Sequence, residues 1–223
     1  FTLNNNGSVW GGDGYNGGVA VSGNEILIRN YRNVYGGNGL GGSGSSGGAG
    51  LSGDDIIVDN YRSIYGGDDV GGTGGSGVTG SNITVHNSGG ILGGNGVNGG
   101  DGINGSNLFI TNDNMISGGY GIKQGGDAIS GNQITLNNNG IVQGGYGPDG
   151  GCSVYGEDIH INNHGNLSGL YNSQKDAYNT SIIFSRRFRY VVPRSISYST
   201  KSLFITVFDN DSNEALKVLI CAS

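Results

Sequence analysis

Three side chains with complementary chemistry fall in one row of this sequence. A Gly-Gly pair recurs about every 25 residues, and seven positions before it stand Asn4, Arg29, Asp59, His86, Thr111, Asn137 and Asn162. If successive coils stack, Arg29, Asp59 and His86 become neighbours, with Asp54 and Asp55 close by. A carboxylate beside a base on adjacent coils is what a polysaccharide-cleaving β-helix would need for acid–base work. A charge pair on a solvated sheet face is the commoner role of such a row, so no catalytic residue is assigned. His160 and His164, four apart on a strand, lie roughly 13 Å from one another, too far to share a metal. No metal or cofactor is expected.

The glycine-rich stretch GGNGVNGGDGINGSN invites comparison with the calcium-binding nonapeptide G-G-x-G-x-D-x-U-x. Its Gly pairs are six residues apart, and Asn98 stands where the motif needs Asp. The stretch therefore reads as close-packed glycine rather than a calcium ladder.

The aromatic residues form a second constellation. The column just before the Gly pair holds Trp10, Tyr35 and Tyr65, then Leu92, Ser117, Gln143 and Ser168. Tyr31 and Tyr61 stand four residues earlier, followed by Arg32 and Arg62, in the near-identical segments NYRNVYGG and NYRSIYGG. Rings aligned along a rod, with guanidinium groups beside them, can pack on sugars or dock a protein; they can equally be a ladder that stiffens the sheet. Trp10, Tyr31, Arg32, Tyr35, Tyr61, Arg62 and Tyr65 are the candidate ligand-binding residues.

These side chains need a scaffold that repeats. The Gly pairs begin at Gly11, Gly36, Gly66, Gly93, Gly118 and Gly144, with a degenerate seventh at Gly169. Ten before the pair stand Phe1, Ile26, Ile56, Ile83, Leu108, Ile134 and Ile159; eight before it, Leu3, Ile28, Val58, Val85, Ile110, Leu136 and Ile161. Two before it the column runs from Val9 and Val34 to Leu167, and a fourth column follows the glycines from Val21 and Leu51 to Val154. Residues two apart share one side of a strand, so the columns predict three short strands per coil around a narrow apolar core. The predicted fold is all-β: a right-handed parallel β-helix (β-solenoid) of about seven coils of about 25 residues. The five extra residues of the second coil fall in a loop between its second and third strands.

One polar column has no exceptions. Six before the pair stand Asn5, Asn30, Asn60, Asn87, Asn112, Asn138 and Asn163. Its parity points inward, which predicts a buried ladder with each amide donating to the next coil. Asn also tolerates the left-handed backbone a corner needs. Gly23, Gly53, Gly80, Gly105, Gly131 and Gly156 form another column, expected where φ is positive or backbones approach closely.

The pattern ends near Leu170, dividing the chain into a solenoid, 1–170, and a C-terminal capping or assembly segment, 171–223. The second part is poor in Gly and holds strand-like runs such as SLFITVFD. A solenoid end exposes an unpaired edge, and a non-repetitive β-rich cap is the expected cover. An alternative is head-to-tail assembly into a filament, with Phe1 and Leu3 at one end and Phe204, Ile205 and Val207 at the other.

Composition narrows the partners. Of 223 residues 49 are Gly and 13% are charged. Residues 1–170 carry four basic and 13 acidic side chains, a balance of −9, and the rest of the chain +3. The acidic body argues against nucleic acid as a partner. No apolar run is long enough to cross a bilayer. Two cysteines, Cys152 and Cys221, do not make a disulfide framework.

The recurring Asn-Gly-x-Ile, GGNGxxGGxGI and Gly-x-x-Ile-Thr-Val-x-Asn patterns resemble the passenger domains of bacterial autotransporter (type V secreted) adhesins over roughly residues 1–170. The resemblance implies export, a β-helical body, and roles in adhesion, aggregation or biofilm. The expected function is that of a non-enzymatic extracellular or cell-surface adhesin or structural solenoid, with a host or bacterial surface glycan or protein as its partner.

Overall fold

The computed structural model describes residues 1–169 in full, together with the backbone of the strands Thr180–Phe184, Ile205–Phe208 and Ala215–Val218. Among these residues there is no α-helix, and none is thus long and apolar enough to span a membrane. The chain is a parallel β-solenoid. Seven passes of the first sheet enclose six complete turns, and each strand pairs in parallel with its equivalent one coil on. A second sheet runs from Val9–Trp10 through Val34–Tyr35 and Ser63–Tyr65 to Asn166–Ser168.

The four predicted apolar columns form the core. Ile28, Val58, Val85, Leu136, Val34, Ile64, Ile91, Leu51, Val78 and Ile103 are all completely buried. No single coil encloses these side chains, so their burial depends on stacking.

The strand count differs from the expectation in where the strands lie. The column after the glycines makes a separate strand, Val21–Ser22, in the first coil only. In the later coils it fuses with the next first-sheet strand into ten-residue strands such as Val78–Asn87 and Ile103–Asn112. Val78 and Ile83 are five apart, which strict alternation would place on opposite faces. A kink restores both to the inside: Gly80 has φ 143° and Asn82 φ 52°. Every such coil has one non-glycine left-handed residue there, namely Glu25, Asp55, Asn82, Asn107, Gln133 and Asp158. The left-handed corner thus lies here rather than at the buried Asn column. The third strand of the coil is instead a short loop sheet, Asp69–Thr73, Gly96–Asn98 and Gly121–Gln124.

The Gly pairs form a waist. Each coil has a second pair a few residues on, and the two meet back to back across the coil. An unbroken chain of backbone bonds of 2.7–3.0 Å alternates between them, from Gly18 N–H to Gly12 O through to Gly151 N–H to Gly145 O. A methyl group on Gly94 would overlap the carbonyl oxygen of Gly67. Glycine is required because the backbones touch. The apolar core lies on one side of the waist and a stack of surface loops on the other.

Beyond residue 169, Thr180–Phe184 pairs in parallel with Val154–Asn163, and Ile205–Phe208 pairs antiparallel with Ala215–Val218. Phe204, one of the assembly candidates, lies outside the described residues; Ile205 and Val207 lie in the antiparallel pair. Phe1 is exposed and Leu3 packs against the core. Cys152 is buried and disulfide-bonded, and the one other cysteine, Cys221, is outside the described residues.

Candidate functional site: an aromatic and acidic groove

The Asn ladder fixes the register of everything outside it. Six side-chain bonds of 2.7–2.8 Å run from the Nδ2 of Asn5 to Asn30 Oδ1 and onward to Asn163. All seven Asn residues are at most 4% exposed. The same amides donate to the second-sheet turn, as Asn60 does to Arg62 O and Asn87 to Met115 O. The ladder therefore ties the first sheet to the second and holds the aromatic column in line.

Trp10, Tyr35 and Tyr65 stand in register on the second sheet. Their rings stack face to face, with centroids 3.9 Å apart at 17° for Trp10–Tyr35 and 5.0 Å apart at 4° for Tyr35–Tyr65. The coil spacing, close to the thickness of stacked rings, imposes this. Ring faces therefore cover one another, and the column turns its edges outward. Trp10, at the end of the row, is 67% exposed. The Tyr35 hydroxyl accepts a bond from Asn33 Nδ2 at 2.5 Å.

Beside this column runs a groove of about 580 Å³. Trp10, Tyr35, Tyr65 and Leu92 form one wall, waist glycines the floor, and Asp13, Asn38, Asp68 and Asn95 the other wall. Two carboxylates and no cationic side chain line it. Each residue of the polar wall accepts the backbone N–H of the equivalent residue one coil on: Asn38 to Asp13 at 2.6 Å, Asp68 to Asn38 at 3.0 Å, Asn95 to Asp68 at 2.6 Å. Those bonds hold the wall rigid while its side chains stay exposed. Sequence reasoning missed this wall, although its column stands two after the start of every Gly pair.

Tyr31 and Tyr61 also stack, 5.1 Å apart at 3°. They and Arg32 and Arg62 sit at the exposed turn between the sheets and do not line the groove. The row of Arg29, Asp59 and His86 does come together. Asp59 Oδ1 lies 2.9 Å from His86 Nδ1, and its Oδ2 lies 3.7 Å from Arg29 Nε. The cluster sits on an open sheet face, with the His86 side chain 58% exposed. Among the described residues no three His, Cys, Asp or Glu side chains gather to hold a metal.

No known protein family, curated protein or solved structure matches this chain.

Proposed function

We propose that this solenoid is a non-catalytic adhesin that holds a glycan chain in the groove beside the aromatic column. The groove itself carries the reading: an axial cleft with an aromatic wall, a polar wall and a backbone floor. Glycans present apolar ring faces and many hydroxyls, which such a cleft can meet along several coils. Trp10, the most exposed ring of the wall, is the place for a sugar to pack, and the Asp and Asn row accepts hydroxyl hydrogens. With Asp13 and Asp68 lining it and no cation, the groove favours neutral glycans over sulfated or uronic ones.

The Gly/Asn-rich coils, resembling autotransporter passengers, support placing the protein outside the cell or on its surface, where such a groove meets glycans. The test is a glycan panel with neutral and anionic polysaccharides. The expected result is retention of neutral chains without product release, lost in Trp10→Ala and in Asp68→Ala. Failure of every neutral glycan to bind, or full binding by Trp10→Ala, would overturn the reading.

A further inference from the structure

The loops beyond the glycine waist differ in length from four to nine residues, yet the third residue of each is apolar: Tyr15, Leu40, Val70, Val97, Ile122 and Pro148. None belongs to the core, and Val70 is 87% and Leu40 72% exposed. Stacked coils align them into one ridge along the rod. Apolar side chains repeated at every tip, outside the core, indicate a surface that is covered in use.

We propose that the ridge pairs with the ridge of a second copy of this chain in an antiparallel, two-fold dimer. Three observations select that occupant. The first is the order of side chains, which is close to palindromic about its two valines: Val70 and Val97 in the middle, Leu40 and Ile122 on either side, and the rings of Tyr15 and Pro148 beyond them. An antiparallel dyad between the third and fourth coils sets Val70 against Val97 of the partner, Leu40 against Ile122 and Tyr15 against Pro148. A self-complementary order is what a two-fold interface requires. The second is area. The tips expose on the order of 600 Å² of apolar surface, and their loop backbones bring this near the ~800 Å² per partner of a stable interface. The third is charge. Asp13, Asp68 and Asp149 flank the ridge against Lys123 alone, which disfavours an anionic lipid surface. Between two copies these acids fall at the rim, where salt screens them.

Sedimentation velocity across a concentration series tests the proposal. The full chain is expected to sediment as a dimer that tightens with added salt. Val70→Asp should weaken it ~100-fold by burying an unpaired charge, with circular dichroism and melting unchanged. Leu40→Ser serves in its place if Val70→Asp alters the circular dichroism. Register is read by oxidising a mixture of Leu40→Cys and Ile122→Cys chains, which should cross-link as the heterodimer. A chain that stays monomeric throughout, a dimer indifferent to both ridge variants, or Leu40→Cys linking to itself in preference to Ile122→Cys, would each overturn the proposal.

Discussion

Asn87 occupies the middle of the buried ladder, and its replacement by Ala tests whether that ladder holds the solenoid together. The side chain is 1% exposed. Its Nδ2 donates to Asn112 Oδ1 at 2.8 Å and to Met115 O at 3.0 Å. Its Oδ1 accepts from Asn60 Nδ2 at 2.7 Å, and Gly89 N–H approaches at 3.3 Å. Asn60 Nδ2 retains Arg62 O and Gly90 O after the substitution, so that donor is not stranded. Asn112 Oδ1 loses its ladder donor and remains buried. One net bond of about 1 kcal/mol and one buried, unsatisfied acceptor of about 2 kcal/mol give a loss of about 3 kcal/mol. Asn87→Asp should cost more, because a carboxylate cannot donate to Asn112 Oδ1 and two acceptors then face each other in the core. Urea unfolding followed by circular dichroism, with exposed Asn38→Ala as the control, measures both. A loss for Asn87→Ala below about 0.5 kcal/mol, or no greater than that of the control, would refute the argument that the ladder is an energetic spine.

Gly94→Ala is expected to prevent folding or lower the melting temperature sharply, since its methyl would overlap Gly67 O; Gly42→Ala, with open space around it, should leave melting unchanged. Asp69 is 1% exposed, its Oδ1 accepts from Gly71 and Gly72 N–H at 2.8 and 2.9 Å, and its Oδ2 has no hydrogen-bond partner. Asp69→Asn, which removes the charge and keeps the shape, should therefore stabilise the chain by about 1 kcal/mol in the same urea titration. Trp10→Ala should abolish retention on a neutral glycan column with little change in melting, because Trp10 lies outside the core.

Much of the fold was legible because the core columns recur at fixed offsets from one Gly pair. Ile83, Val85 and Ile91 keep their offsets in every coil, and so does Asn87, so burial and ladder follow from counting. The second Gly pair keeps no such offset. Its distance from the first varies with loop length, from Gly12–Gly17 in the first coil to Gly37–Gly47 in the second. Alignment on one pair scatters the other, so the waist does not show as a column. The left-handed column was hidden for another reason: Glu25, Asp55, Asn82, Asn107, Gln133 and Asp158 share polarity but no residue type that announces positive φ. The aromatic column was visible, but spacing alone does not say which way a ring turns. The contacts at Trp10, Tyr35 and Tyr65 show that stacked coils close the ring faces on one another.

The waist explains how one sequence can keep a strict core and variable loops. The second coil carries five more residues between its Gly pairs than the first, in the run Asn38–Ser46. Even so, Ile28 pairs with Val58 and Val34 with Ile64, in the same register as the coils around them. The extra residues lie wholly beyond the backbone contacts Gly37–Gly18 and Gly48–Gly37, which close the core before the loop begins. Loop length therefore leaves the packing of the core unchanged, and its closure entropy rises only slowly with length. Ridge and polar wall both stand on the far side of that closure. Their side chains can change without disturbing the Ile, Val and Asn columns, so the surface beyond the waist and the folding core can vary independently.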